Sequence, residues 1–349
     1  MRRLLSLVTA LVALLLLAAP TLACGGLIGP NGAVNLLRTT TLAGYHNGVE
    51  HYVTAFTFAG GGGQFGSIVP LPGVPTTVER GGDWTLQRLV RETDPVPERL
   101  ALDAEFAAPA GAQVLYQTRI DALDITILRG GGADVGLWAK QNGFRLPPDA
   151  PEVLDFYADR SPIFMAAIFD ADAAAERGQA VGDGTPIHLT IPTDNPWVPL
   201  RILALGKSAA ETVEADVYLL TDIRPALLPD PGALGGVAGM TLDHSAAATD
   251  LLLSDLRSDV GMAWVPQRAW LTKVGITMGA ADLGFDLAID ASGAGMPSPQ
   301  DAGLKPFGPV SGALLVARSA VPLLVLPLGV AWLLYVVARV RDPRRTVAP

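Results

Sequence analysis

The sequence predicts an α+β domain dominated by short antiparallel strands with a few short helices, joined to one C-terminal transmembrane helix. Three observations carry that expectation. Alternating or wholly apolar runs of strand length recur between turns rich in the chain's 38 glycines and 28 prolines. Asn47-Gly48 sits between two such runs and signals a two-residue hairpin of the type that needs positive φ at both positions. Residues 319–338 carry no charge, and a helix of about 20 residues spans about 30 Å, the depth of a hydrocarbon core.

The elements follow in order. Residues 39–44 and 49–58 are the two arms of the hairpin, a register that sets Gly44 opposite His51. Residues 60–63 are a glycine loop, and 64–75 a strand ending in a proline-rich turn. Residues 83–92 read as an amphipathic helix, with Asp83 as N-cap and Trp84, Leu86, Leu89 and Val90 on its apolar side. Two strands follow in "AQVLYQTRI" and "LDITILRG". A helix over 133–144 is closed by Asn142-Gly143. A second begins with Pro151 in its first turn. "SPIFMAAIFD" is an apolar strand, residues 185–206 give two strands broken by prolines, and 213–222 alternate cleanly. After a Pro/Gly-rich run at 224–240 come a helix over about 245–257, strands in "DVGMAWVP" and "RAWLTKVGIT", and a last strand in "DLGFDLAID". "HYVTAFTF … FGSIVPLPGVP" echoes "PIFMAAIFD … PIHLTIPTDNPWVP"; duplication of a hairpin and chance likeness of apolar strands both account for it.

The two ends set an expected topology. Arg2 and Arg3, an apolar run over 4–19, Pro20 and the small residues before position 24 form a secretory leader cleaved after Ala23. That leaves Cys24, the single cysteine, as the first mature residue. Lipidation, an intermolecular disulfide and an unmodified thiol are the three readings of it. The triplet Thr-Leu-Ala before it is a poor lipidation signal, which favours the thiol. Past residue 338, Arg339, Arg341, Arg344 and Arg345 mark the cytoplasmic side of the span. The expected organisation is leader 1–23, β-rich extracytoplasmic domain 24–223, second subdomain or continuation 224–289, stalk 290–318, span 319–338 and basic tail 339–349. The chain would be a single-pass protein of the cell membrane with its bulk outside the cytoplasm. Taking Arg2, Arg3 and the four tail arginines from the 25 bases, and Asp342 from the 34 acids, leaves the exported part at −14. So acidic a surface excludes a nucleic-acid partner, since phosphate contacts need Lys and Arg.

Several of these segments carry a family likeness. "FGSIVPLPGVP", "DVGLWAKQNGFRLPPDAPEVLDFYADRSPIFMAAIFD", "GTPIHLTIPTDNPWVPLRILALG" and "VYLLTD", in that order behind the Cys-Gly-Gly start, resemble the exported bacterial family known as domain of unknown function 2330. The likeness covers roughly residues 24–222. It implies a secreted or membrane-tethered domain and carries no catalytic residues with it.

Motifs for chemistry are sparse. The four histidines are His46, His51, His188 and His244; there is no H-E-x-x-H, and one cysteine cannot build a thiolate zinc site. His46 and His51 flank the hairpin turn and read as solvated. "LGKSA" at 205–209 lacks the first phosphate-loop glycine, because position 201 is arginine. Asp243-His244-Ser245 are adjacent, so they cannot stack as a triad, and read instead as a helix N-cap. Asp282, Asp286 and Asp290 lack calcium-loop spacing. No catalytic, cofactor-binding or metal-ligating residue is assigned, and no cofactor is expected. The leading expectation is a non-enzymatic envelope module that binds or assembles with an envelope protein or polymer. A hydrolase with a site assembled from distant residues and a ligand sensor are the alternatives.

Overall fold

The computed structural model describes residues 26–29, 32–33, 39–56, 66–93, 113–170, 185–232, 236–292, 295 and 297–304. Among these residues the chain is a β-dominated α+β fold, with mostly antiparallel sheets and four short α-helices.

A six-stranded sheet is built from β1 (Gly26–Gly29), β2 (Gly32–Ala33), β5 (Gly66–Leu71), β7 (Gln113–Ile120), β8 (Leu123–Arg129) and β9 (Ile163–Phe169), in the order β2-β1-β5-β9-β8-β7. A seven-stranded sheet contains β3 (Thr39–His46), β4 (Val49–Phe56), β6 (Thr77–Arg80), β10 (Thr185–Pro192), β12 (Thr212–Thr221), β14 (Met240–Ala247) and β15 (Trp270–Gly279), in the order β14-β15-β12-β3-β4-β10-β6. A small third sheet joins β11 (Trp197–Val198), β16 (Leu287–Asp290) and β13 (Ala226–Leu228). The helices are α1 (Thr85–Thr93), α2 (Gly132–Gln141), α3 (Ala150–Ala158) and α4 (Asp250–Ser258), with a 3-10 turn at Arg201–Ala204.

The two large sheets share one core. Ile68, Ile127 and Met165 of the six-stranded sheet pack in the same cluster as Ala43, Tyr52, Leu189, Val217 and Val274 of the seven-stranded one. β9 is buried at every position, which is why its sequence is an unbroken apolar run rather than an alternating one. The opposite face of the seven-stranded sheet carries a second core, where Leu42, Val53, Tyr218, Leu220 and Leu271 lie beneath Leu86 and Leu89 of α1 and Leu252, Leu253 and Leu256 of α4. The echoed segments are exchanged between the sheets. β4 pairs β10 in one and β5 pairs β9 in the other, the arrangement a two-fold relation between them would produce.

Local signals hold where turns decide. Asn47 and Gly48 take φ of 53° and 75°, and Gly44 stands opposite His51. Asn142 caps α2, and Gly143 follows at φ 82°. Other expectations are corrected. Residues 240–247 are a strand, and the helix begins only at Asp250, where the Thr249 hydroxyl accepts the Leu252 amide at 3.2 Å. Pairing with β15 overrides the helix propensity of the Ala246–Ala248 run. Asp243-His244-Ser245 therefore lies in a strand and caps nothing. "DVGMAWVP" is a loop that buries Met262 and Val265 under the helices. Of the second strand expected within 185–206 only Trp197–Val198 pairs, because Pro196 and Pro199 remove the flanking donors. Asp83 bonds Arg80 instead of capping α1; the Trp84 amide (3.0 Å) and Thr85 hydroxyl (2.8 Å) donate to Asp259, from the far side of α4.

The expected leader, with Ala23 and Cys24, the span 319–338, and Arg339, Arg341, Arg344 and Arg345 all lie outside the described residues. Among the described residues no helix is long and apolar enough to cross a membrane.

Candidate functional site

A cluster of chemically capable side chains lies on the helix-covered face of the seven-stranded sheet. β4 and β10 run antiparallel with Val53 opposite His188 and His51 opposite Thr190. His51 and His188 are thus diagonal neighbours on one face, close enough for their rings to meet. His51 Nδ1 lies 3.0 Å from His188 Nε2. His188 Nδ1 lies 3.2 Å from Glu79 Oε1, supplied by β6, where Glu79 stands opposite His188. The indole of Trp264, from the loop after α4, stacks on His51 with centroids 4.1 Å apart and planes 1° from parallel.

This geometry fixes the proton positions. A carboxylate only accepts, so His188 Nδ1 carries hydrogen toward Glu79. His188 Nε2 is then bare and accepts from His51 Nδ1–H, which leaves His51 Nε2 as a lone pair. Both rings stay neutral near pH 7. Burial pushes His188 down to about 4. Burial, then the neighbouring His188 and His46, push His51 down to about 4.

The cluster is an oriented imidazole chain with poor credentials as a neutral-pH base. A general base works best with its pKa near the operating pH, and these lie well below it. No Ser, Thr or Cys bonds either ring among the described residues; Thr190, opposite His51, is engaged by the Thr77 hydroxyl at 2.8 Å. Nor is a group of three His, Cys, Asp or Glu arranged to hold a metal among the described residues. His46, read with His51 as solvated, is held elsewhere: its Nδ1 meets Asp222 at 2.6 Å and its Nε2 meets Asn47 at 2.7 Å. His244 lies on β14 opposite Lys273.

Gly44 makes the stack possible. A Cβ there would lie 2.2 Å from Trp264 Cη2, so the indole rests where an alanine methyl would be. Gly44→Ala is expected to lower stability by about 1–3 kcal/mol, as overpacking does. In a Trp264→Leu background the same change should cost little. Urea midpoints of the three variants check this; an equal loss in both backgrounds would show that the indole is not the obstacle.

A separate cleft of about 280 Å³ opens elsewhere, lined by Tyr45, Asp194, Asn195, Asp290, Ser298 and Asp301. It does not include the histidines. Two of its three acids bond the local chain: Asp290 accepts from Ser292 and Gly295, and Asp301 from Ser298. We place the chemistry at the histidines, where the polar groups face one another rather than their own turns.

The sequence alone did not single out His188 or Glu79. His188 lies 137 residues from His51, and only the β4–β10 register joins them. Alternation within "TPIHLTIP" puts His188 on one face of its strand but says nothing of the neighbour.

No curated protein sequence matches the chain. Among solved structures it is similar to a mutated baculovirus P35 after caspase cleavage, at a TM-score of 0.41 and 8% identity over 74% of this chain and 98% of that one. It is also similar to baculovirus P35 itself, at 0.31 and 8% over 76% and 91%. Scores this low carry no argument about activity. A bacterial family profile, by contrast, matches residues 18–228, more than half of the sequence and including the Cys-Gly-Gly start, all of β3 to β12 and both histidines of the stack. The chain belongs to the DUF2330 family, described as an uncharacterized protein conserved in bacteria.

Proposed function

We propose that this chain is a single-pass cell-envelope protein, exported by its leader and held by residues 319–338, whose β-rich domain is a binding or assembly module for an envelope protein. The observation that carries the binding reading is the outer edge of the six-stranded sheet. Among the described residues β7 pairs with β8 alone, and Val114 and Tyr116 are 43% and 49% exposed on it. A strand with a free edge and exposed apolar side chains takes an extended partner segment by main-chain pairing, with side-chain pockets giving selectivity. The uncharged run and its four trailing arginines support the anchoring.

The test is crosslinking of the full chain in intact cells. A partner recovered with wild type and lost with Val114→Asp/Tyr116→Asp supports the module. Recovery unchanged by the double variant would sink the β7 assignment. For topology, a tag fused beyond Pro349 should resist protease added to unbroken cells; cleavage of that tag would reverse the orientation.

A second reading, a hydrolase, is favoured by the Glu79–His188–His51 chain, which presents one oriented imidazole nitrogen. It requires that purified protein turn over an envelope substrate and that His51→Gln abolish turnover. Such turnover with no partner recovered would displace the binding reading.

A further inference from the structure

The three strands β14, β15 and β12 bring a lysine and two aspartates together at one point of the seven-stranded sheet. Lys273 of β15 is 2% exposed and Asp216 of β12 is 5% exposed. Lys273 stands opposite Tyr218 and Asp216 opposite Gly275, so Lys273 and Asp216 are diagonal neighbours on one face. Lys273 Nζ lies 3.6 Å from Asp216 Oδ1 and 3.7 Å from Asp243 Oδ2. The Tyr218 ring lies alongside, with its centroid 5.9 Å from Nζ.

Two local features bring the second carboxylate in. β14 is regular except at Asp243, where the register shifts between Leu242 and His244. A bulge of this kind re-aims a side chain. The space it turns into is free because position 275 is glycine: a Cβ there would lie 2.5 Å from Asp243 Oδ2.

Burying a lysine and an aspartate on adjacent strands costs desolvation that an ion pair offsets only in part. A covalent amide removes both charges and keeps the strands in place. We propose that Lys273 and Asp216 are joined in the mature protein by an intramolecular isopeptide bond, with Asp243 as the proton carrier for its formation.

The step balances without a co-reactant. A proton passes from the Lys273 ammonium to the Asp216 carboxylate, giving the neutral amine and acid that condensation requires. The amine lone pair attacks Asp216 Cγ, forming the C–N bond. Asp243 takes a proton from that nitrogen and returns one to the departing hydroxyl. The C–O bond breaks, one water leaves, and Asp243 is restored as carboxylate. The product ties β12, inside the family match, to β15, outside it.

Mass spectrometry of the full-length protein purified from membranes decides the matter on wild type alone. The intact mass should fall one water short of the mass calculated from the protein's determined N-terminus, and digestion should yield a branched peptide joining positions 216 and 273. Asp216→Asn should change the deficit from one water to one ammonia, since an amide then supplies the leaving group. Lys273→Arg should restore the full mass, and Asp243→Asn should leave most molecules unlinked with the pair intact. A wild-type protein of full mass overturns the proposal. So does a water loss traced to a cyclised aspartate rather than to the branched peptide.

Discussion

Asp286→Ala is expected to destabilise the protein by about 3–5 kcal/mol, the cost of leaving a buried charge without its partner. Asp286 is fully buried, and its carboxylate receives the Tyr157 hydroxyl at 2.8 Å, the Leu200 amide at 2.7 Å, the Arg201 amide at 3.0 Å and the guanidinium of Arg160. The Tyr157 oxygen in turn accepts the Ile202 amide at 2.8 Å. Arg160 is held over the rings of Phe156 and Trp197, at 4.5 and 4.7 Å, and its side chain is 9% exposed. One carboxylate therefore ties α3, the 3-10 turn and the start of β16. Alanine would leave Arg160 facing a void and three donors without an acceptor. Pairing the change with Arg160→Met should recover much of the loss, because the uncompensated charge leaves with it. Urea midpoints for the two singles and the double give the coupling. Simple addition of the two losses would show that Asp286 and Arg160 do not act as a pair.

The second large effect is a pH slope that originates at Glu50. This residue lies on the core side of β4, between Tyr45 on β3 and Ile191 on β10, and is fully buried. Neither carboxylate oxygen has a hydrogen-bond partner among the described residues. Burial raises its pKa to about 8, with the Trp197 backbone pulling weakly the other way. That backbone group falls short of hydrogen-bond geometry at either oxygen, so burial governs. The native state holds a proton that the unfolded chain releases at about 4.5. Stability must therefore fall as pH rises from about 4.5 to about 8, by roughly 5 kcal/mol, and level off above. Glu50→Gln should abolish this fall and be several kcal/mol more stable than wild type at pH 8. His51 and His188 work in the opposite sense. With pKa values near 4 they refuse protons that the unfolded chain accepts, so their contribution is lost as pH falls from about 6.5 toward 4. Denaturation midpoints at pH 4.5, 6 and 8 test both, and parallel profiles for wild type and Glu50→Gln would refute the assignment of the slope to Glu50.

What the sequence disclosed divides along the range of the interactions. The Asn47-Gly48 turn, and with it the facing of Gly44 and His51, was legible because two adjacent residues decide it. So was the end of α2 at Asn142-Gly143. The helix expected at 245–257 failed for the converse reason: Ala246–Ala248 are sound helix formers, but β15 offered a ladder that local propensity cannot register. The cap of α1 failed likewise, since Asp259 reaches it from 174 residues away. The histidine chain, the Arg160–Asp286 tie and the Lys273–Asp216 pair all depend on strand neighbours far apart in sequence. No single-segment pattern announces them.

The register of β12 has a consequence for where this protein can be divided. β12 runs parallel to β3 on one side and pairs β15 over ten residues on the other, yet the family match stops at residue 228. A fragment trimmed to that limit would keep the inherited homology and lose β14, β15, α4, Asp259 and Asp286 together. It would offer solvent a long bare strand, an uncapped α1 and a stranded guanidinium. The segment that the family profile matches is thus shorter than the unit that folds.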